Sequence, residues 1–303
     1  MRPGALGRRP ELTVFVGALA IAFSGILFRL SHVSPSTGAF FRCLFALPAL
    51  WPVARWEERR WGMRTLRQRA YAWAAGLFFV GDLIFWHRAI DFVGAGLATV
   101  LSNIQVVLVG LLAWLLLRER PQRATLLALP VVAAGVVLVS GALERGAYGS
   151  DPARGAVYGV LTGLAYTGFL LVLRRGQLGV VGPAGPLFDA TLSCAAGCLV
   201  AGLALGDLDL TPSLAATGWL VLLALSSQWL GWLLISISLP RLPAAVTSVS
   251  LTFQPVCSVI FAAIILGESP SGLQLVGAAA ILFGLVISSL GRRRPVAEPE
   301  LAG

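Results

Sequence analysis

The sequence is poor in charged residues and contains no lysine. Only 12% of its 303 residues are charged, 57% are hydrophobic, and all 23 basic residues are arginines. Soluble domains are typically about 25% charged and about 45–50% apolar, so a lipid bilayer suits this chain better than water. The formal net charge of +9 does not indicate nucleic-acid binding, because the arginines lie in short clusters between apolar runs.

Residue types that bind metals or catalyse reactions are also scarce. The chain has two histidines, and its four cysteines lie in apolar runs without CxxC spacing, so neither a zinc site nor a disulfide framework is predicted. There is no GxxxxGK[ST] loop for ATP, no HExxH motif and no Ser/His/Asp set. We therefore expect no metal, no cofactor and no enzymatic activity.

Long apolar windows fill most of the chain. A membrane-spanning helix needs about 20 predominantly apolar residues, and ten windows meet this requirement. These predicted spans, numbered 1 to 10, lie near residues 12–30, 35–54, 71–90, 94–117, 124–141, 155–173, 184–205, 214–238, 243–266 and 271–290. The expected fold is an all-α integral membrane protein with ten transmembrane helices.

The arginines predict how the chain is oriented. With the N-terminus in the cytoplasm, eighteen arginines fall in cytoplasmic segments and three on the opposite side. Cytoplasmic loops of membrane proteins carry such an excess of basic residues. We expect a multi-pass protein of the cell inner (cytoplasmic) membrane with both termini in the cytoplasm.

The two halves of the chain resemble each other. A shift of 149 residues superposes residues 93–140 on 242–289 without a gap, and twelve of the 48 positions are identical. The identical pairs include Gln105/Gln254, Glu119/Glu268, Pro121/Pro270 and Gly135/Gly284. We assign residues 1–145 to a first repeat, 150–291 to a second and 292–303 to a disordered cytoplasmic tail. Five spans per repeat invert the second copy, as in many secondary transporters.

The repeated segments carry a family resemblance. "AGLATVLSNIQVVLVGLLAWLLLRERPQRATLLALPVVAAGVVLV" and "AAVTSVSLTFQPVCSVIFAAIILGESPSGLQLVGAAAILFGLVI" are similar to the EamA-type members of the drug/metabolite transporter (DMT) superfamily, as is "FFRCLFALPAL" in span 2. The resemblance covers essentially the whole chain. It implies a ten-helix transporter of amino acids, drugs or other metabolites, working in the direction of efflux, and it leaves the substrate open.

Charged side chains inside the spans are the first candidates for a site. An ionisable group at the bilayer centre is costly and needs a partner. Arg42 and Asp82 lie at similar depths in neighbouring spans, so we expect an ion pair that either forms a wall of the substrate cavity or only locks two helices together. His87, at the end of span 3, is either part of an interfacial cap or a titrating gate together with Asp82.

Amides and aromatic rings supply the other candidates. Asn103 and Gln105 of span 4, with Gln254 at the equivalent place in span 9, either hold helices together or line the cavity symmetrically. Trp86 shares a helix face with Asp82, as Trp232 does with Gln228. The predicted substrate-binding residues are Arg42, Asp82, Trp86, Asn103, Gln105, Tyr166, Gln228, Trp232 and Gln254.

These observations favour one function over two others. We expect a secondary transporter that moves small organic metabolites by alternating access, as a monomer or a homodimer. Its partners are a small-molecule substrate, membrane lipid and, as an open alternative, protons; nucleic acid is not among them. A passive channel without coupling and an intramembrane enzyme built on Asp82 and His87 are the competing interpretations.

Overall fold

The computed structural model describes residues 10–117, 123–238 and 244–290. Within these ranges the chain is helical and contains no strand, which confirms the predicted fold class. The predicted disordered tail, 292–303, lies outside the described residues. So do Glu119 and Pro121 of the first repeat.

Every apolar window predicted from the sequence coincides with a helical span. The spans comprise Pro10–Ala22 with Ser24–Ser31 (span 1), Pro35–Trp61 (2), Leu66–Val93 (3), Ala95–Ser102 with Gln105–Leu117 (4), Arg123–Val139 (5), Pro152–Gly176 (6), Ala184–Leu205 (7), Leu214–Leu223 with Ala224–Gly231 and Trp232–Ser238 (8), Ala244–Leu266 (9) and Gly272–Leu290 (10). Within the described ranges, seven helical segments are long and apolar enough to cross a membrane, and two shorter ones are apolar.

Proline and serine mark where helices begin. Span 2 starts at Pro35, and the Ser34 hydroxyl before it accepts a hydrogen bond from the Thr37 N–H at 3.3 Å. Span 8 starts after Ser213, whose hydroxyl accepts from the Ala216 N–H at 3.2 Å. Each hydroxyl satisfies one of the N–H groups that a helix start leaves without a partner.

The connections alternate between two ends of the helical bundle. At one end, which we call the Glu268 end, Ser34 donates to the Asp207 carbonyl and Ser271 donates to the Glu144 carboxylate. These contacts bring the connections 1–2, 7–8, 5–6 and 9–10 together, and Glu268 itself contacts the start of span 4. The spans therefore run up and down in turn, and an odd number per repeat inverts the second copy.

At the opposite end, which we call the Arg64 end, the connections 2–3 and 6–7 meet. The Gln68 side-chain amide donates to the Leu178 carbonyl oxygen at 3.0 Å. Gln68 also completes a capping box with Thr65 at the start of span 3. The amide thus fixes the entry of span 3 and ties it to the end of span 6.

Helix packing obeys a two-fold exchange that maps span 1 onto 6, 2 onto 7, 3 onto 8, 4 onto 9 and 5 onto 10. Span 3 packs on spans 6 and 7, and span 8 packs in the same way on spans 1 and 2. Span 4 packs on span 6 as span 9 packs on span 1. Spans 2 and 7, 4 and 9, and 5 and 10 pack on their own counterparts, as elements on a pseudo-two-fold axis do.

The crossing of spans 5 and 10 shows this symmetry at single residues. A Cβ on Gly135 would lie 2.7 Å from the Gly277 carbonyl oxygen, and a Cβ on Gly277 would lie 2.7 Å from the Gly135 carbonyl oxygen. Gly135 also faces Ile281, whereas Gly284 faces Val132. The 149-residue shift converts the first of these two contacts into the second. The absence of side chains lets the two backbones approach closely.

The packing divides the helices into two bundles that do not match the sequence repeats. Spans 3, 4, 6 and 7 pack on one another and form a first bundle, and spans 8, 9, 1 and 2 form a second. Pairs 2–7 and 4–9 join the bundles, and spans 5 and 10, which belong to neither bundle, pack on each other. A site between the bundles therefore draws residues from both halves of the chain.

Candidate functional site

A cavity of about 180 Å³ lies between the two bundles. Its walls come from spans 1, 2, 3, 4, 6, 8 and 9, and they combine aromatic and aliphatic side chains with a few polar ones. The structure places eight of the ten residues named from the sequence in these walls: Arg42, Asp82, Trp86, Asn103, Gln105, Tyr166, Trp232 and Gln254. That they bind a substrate stays a prediction.

Span 3 contributes one complete helix face to the cavity. Phe79, Asp82, Leu83 and Trp86 all line it, at the spacing that puts side chains on one side of a helix. Phe79 and Leu83 were not among the residues predicted from the sequence. Their spacing from Asp82 was the signal that would have identified them.

The predicted ion pair between Arg42 and Asp82 does not form. Both side chains border the cavity and are nearly buried, with 4% and 7% of their surfaces exposed. Among the described residues Asp82 makes no salt bridge and accepts no hydrogen bond, although the two charges are close enough to interact. Both residues border the same cavity, as their similar depth in neighbouring spans predicted. Depth alone did not predict the direction in which the arginine side chain points.

Arg42 points towards span 8 instead. Its Nε donates to the Gln228 side-chain oxygen at 3.1 Å, and one terminal nitrogen donates to the Ser227 hydroxyl at 3.1 Å. The guanidinium carbon lies 5.6 Å from the centre of the Trp86 ring, within the range of a cation–π interaction. Gln228 was predicted to contact substrate, and the structure places it behind Arg42, outside the cavity walls.

Aromatic rings form the apolar part of the site. Trp232 meets Tyr166 edge-on, with ring centres 6.1 Å apart, and meets Phe79 edge-on at 6.4 Å. Phe169, fully buried behind them, stacks on Phe79 at 4.6 Å. Such edge-to-face and stacked arrangements are the favourable geometries for aromatic pairs, so these contacts stabilise the positions of the rings.

Span 4 is interrupted where its polar residues lie. The helix Ala95–Ser102 ends before Asn103, and a second helix begins at Gln105. The Asn103 amide donates to the Thr99 carbonyl oxygen at 2.8 Å, which satisfies a carbonyl at the end of the first helix. Broken helices at mid-membrane depth are tolerated where they line a cavity, and in transporters they form substrate sites.

The structure corrects the interfacial interpretation of His87. Its side chain is fully buried, stacks on Phe28 with ring centres 3.9 Å apart, and its Nδ1 lies 3.1 Å from the Pro35 carbonyl oxygen. It does not line the cavity. Packing between spans 1, 2 and 3 leaves no room for a solvent-exposed cap at this residue, and a gating role stays a prediction.

The neighbours of His87 do occupy the periphery. Arg88 pairs with Asp207 at 3.4 Å, and Asp91 pairs with Arg29 at 3.4 Å, all with partly exposed side chains. Exposed pairs of this kind contribute little stability. The interfacial interpretation therefore fits Arg88 and Asp91 but not His87.

Two buried carboxylates hold helix starts in the opposite bundle, and the sequence reading had assigned neither of them this role. Glu57, at the end of span 2, accepts from the Ala184 and Gly185 N–H groups at 3.0 and 2.8 Å. Glu268 accepts in the same way from the N–H groups of residues 95 and 96, at 2.6 and 3.1 Å. The signal for Glu268 in the sequence was its identity with Glu119 at the 149-residue offset. That identity gives no information about Glu57.

Asp189 lies near the Arg64 end and not in the cavity. It pairs with Arg64 at 2.6 Å and with Arg69 at 3.3 Å. These contacts tie span 7 to the connection between spans 2 and 3 and to the start of span 3. In the part of the chain that the structure describes, no group of three histidine, cysteine or acidic side chains could hold a metal ion.

Comparisons with known proteins agree with this architecture. A solved structure titled only "Crystal structure of protein" has 18% sequence identity and a TM-score of 0.61, and the match covers 95% of this chain and 99% of that one. At such identity the likeness shows the fold alone. No curated protein matches the chain.

The family comparison covers both repeats. The model of the EamA-like transporter family matches residues 8–141 and again 153–290. The family model thus matches once in each half of the chain, and this confirms the resemblance to EamA-type transporters. The chain belongs to the EamA-like transporter family and is a multi-pass membrane transporter of the drug/metabolite type.

Proposed function

We propose that the protein is a secondary carrier for small organic metabolites, which it exports across the cytoplasmic membrane by alternating access around the central cavity. The observation that carries the proposal is the cavity's position between two bundles related by a pseudo-two-fold axis. Secondary transporters bind substrate near the membrane centre at such an interface, and one bundle rocks against the other.

Contacts between spans 4 and 9 support a closed state of the Glu268 end. Thr99 and Ser258 hydroxyls are hydrogen-bonded at 3.2 Å, and a Cβ on Gly96 would lie 2.9 Å from the Cα of Val259. Together with Glu268 on the start of span 4, these contacts join the bundles above the cavity. With both termini in the cytoplasm, as the arginines predict, the Glu268 end is the outer one. Export then requires these contacts to open.

The size and lining of the cavity favour a small amphipathic solute. Sites for drug-sized ligands occupy about 300–1,000 Å³, whereas this cavity has about 180 Å³. Its aromatic walls suit an apolar body, and Arg42 and Asp82 supply one charge of each sign. Charges are kept inside a membrane protein at a cost in stability and by default mark a functional site. We infer metabolites of amino-acid size ahead of larger drugs.

Counterflow in liposomes tests the carrier. Purified protein is reconstituted, liposomes are loaded with single solutes from an amino-acid and metabolite panel, and uptake of the labelled solute is measured. A carrier gives saturable uptake that the solute on the other side stimulates. Uptake that rises linearly with concentration and ignores the trans solute would instead identify a passive channel.

A pair of aspartate variants ties this activity to the cavity. Asp82→Asn should abolish counterflow or reduce it at least about tenfold, because a charge–charge contact in a low-dielectric site is lost. Asp91→Asn, in the same helix but in a partly exposed pair with Arg29, serves as the control and should leave it unchanged. An imposed pH gradient tests proton coupling: if Asp82 carries protons, Asp82→Asn removes the gradient-driven part of the flux.

A further inference from the structure

A cluster of hydrogen-bonded polar side chains lies beside the cavity and not in it. Ser227 and Gln228 are both fully buried, and both accept hydrogen bonds from the guanidinium of Arg42. They are consecutive residues. In an α-helix, with 3.6 residues per turn, consecutive side chains point in clearly different directions.

The backbone of span 8 explains how both reach the same group. Residues Ala224–Gly231 form a π-helical stretch between two α-helical parts of the span. Bonding from i to i+5 adds a residue to each turn and brings neighbouring side chains closer in direction. π-Helical turns inside α-helices are frequent at functional sites. This one aims two neutral acceptors at one arginine.

Gln228 is itself fixed from the other bundle. Its side-chain nitrogen donates to the Thr191 hydroxyl of span 7 at 3.2 Å. Since the nitrogen is used in this way, the amide oxygen is left to face Arg42. These hydrogen bonds link Thr191, Gln228 and Arg42, and we call this chain the relay. The relay fixes the direction in which the guanidinium points, which burial alone would not do.

The relay leaves the charge of Arg42 available. Its two partners are neutral, so they satisfy two of its hydrogen-bond donors but do not neutralise its positive charge. A guanidinium has five N–H bonds, and two are used here; among the described residues the others have no acceptor, while the side chain borders the cavity. Asp82, on the same cavity, has no partner of its own among those residues.

We propose that Gln228 and Ser227 are positioning residues that hold the Arg42 guanidinium away from Asp82, so that Arg42 receives the carboxylate and Asp82 the ammonium group of a zwitterionic solute of amino-acid size. This inference rests on the proposed carrier function and names its substrate class. Without the two neutral acceptors, Arg42 is free to turn to Asp82, and the resulting internal ion pair competes with the substrate for both charges.

The experiment measures counterflow of the twenty standard amino acids, then of two isosteres of the best one: its carboxamide, which lacks the anionic group, and the analogue with hydrogen in place of the amine. In the wild type both isosteres should have KM values at least about tenfold higher, because each loses a hydrogen-bonded charge. Isosteres that match the parent amino acid would overturn the inference.

Gln228→Glu separates positioning from structural support. Glutamate has the same shape and still accepts from Arg42, but it neutralises the guanidinium charge. We expect KM for the amino acid to rise about tenfold or more with kcat changed far less, and KM for the carboxamide to stay as in the wild type. A purely structural role predicts an unchanged ratio of the two KM values.

Two further variants keep the test decisive. Ser227→Ala removes one acceptor and should raise KM in the same selective way but less, whereas Ser226→Ala, whose hydroxyl in the same π-helical stretch is exposed and bonded to the Leu222 carbonyl, should match the wild type. Wild-type KM in Gln228→Glu or a change in Ser226→Ala equal to that in Ser227→Ala refutes the positioning role.

The outcomes also distinguish this inference from the carrier function. Counterflow of amines or carboxylates alone, without any amino acid, refutes the zwitterion class and leaves the carrier intact. Absence of counterflow for every solute in the panel, in protein that is monodisperse after purification, removes the carrier function and the inference with it.

Discussion

The contact of Glu268 with the start of span 4 allows a quantitative prediction. Glu268 is 6% exposed, and its carboxylate accepts from the N–H groups of Ala95 and Gly96 at 2.6 and 3.1 Å. Both N–H groups belong to the first turn of a helix, where no carbonyl of the same helix is available. Glu268→Ala leaves these two buried donors without an acceptor.

The expected loss is about 2–4 kcal/mol in the free energy of unfolding. A buried donor left without its partner costs about 1–3 kcal/mol, and removal of a side-chain cap at a helix start costs typically about 1 kcal/mol. Because one carboxylate serves both donors, we expect a loss larger than that for one unpaired donor and smaller than the sum for two independent ones. Glu268→Gln keeps one carbonyl oxygen as an acceptor and should lose about 1 kcal/mol or less.

Thermal unfolding in detergent micelles, followed by tryptophan fluorescence, ranks the variants by their unfolding temperatures. The wild type and Glu268→Gln should unfold at similar temperatures and Glu268→Ala several degrees lower. Glu11→Ala, which removes an exposed acid from the first turn of span 1, is the control for a general effect of charge at a helix start. An unfolding temperature of Glu268→Ala equal to that of Glu11→Ala would refute the capping role.

Four other predictions follow from the same geometry. Glu57→Ala should lower the free energy of unfolding by about 2–4 kcal/mol, because it caps the start of span 7 with the same pair of bonds. Gly135→Leu should prevent stable folding, seen as aggregation in size-exclusion chromatography, since its Cβ would lie 2.7 Å from the Gly277 carbonyl oxygen. Gly218→Ala meets no atom within 4 Å and should raise stability by about 0.5–1 kcal/mol in the same unfolding assay. Burial raises the pKa of Glu268 above its ordinary value of 4.5 more than its two backbone bonds lower it. A carboxyl whose pKa is raised on folding loses stabilisation as pH rises from its unfolded pKa to its folded pKa. The wild type should therefore become less stable relative to Glu268→Gln as pH is raised above 4.5 in the same unfolding assay.

Hydropathy predicted the number and approximate position of the spans because a bilayer imposes a minimum apolar length on each helix. Leu66–Val93 extends beyond the window predicted for span 3 at both ends, since polar residues at a membrane surface remain helical without being apolar. The repeat predicted the symmetry, and the contact of Gly135 with Ile281 recurs at the 149-residue offset as that of Gly284 with Val132. These features depend on composition and spacing, and a single sequence contains both.

The direction of Arg42 depends on different physics. Depth in the membrane follows from sequence position, but the rotation of span 2 about its axis depends on packing against spans 7 and 8. The hydrophobic pattern hardly constrains that rotation, because span 2 is apolar on most sides. The π-helical stretch in span 8 was equally invisible, since an i to i+5 ladder differs from an α-helix in backbone hydrogen bonds and not in side-chain polarity.

The relay also explains why a symmetric fold can hold an asymmetric site. At the 149-residue offset, position 42 corresponds to Thr191, and spans 2 and 7 pack on each other at the pseudo-two-fold axis. Gln228 contacts both residues, accepting from Arg42 and donating to Thr191. An amide has different groups at its two ends, so one side chain on span 8 meets two equivalent positions with opposite polarity. A two-fold fold that kept arginine at both positions would present two like charges to the cavity and would have no carboxylate-binding side distinct from an ammonium-binding one. Divergence at positions 42 and 191 is therefore what allows a symmetric transporter frame to orient a solute whose two ends differ in charge.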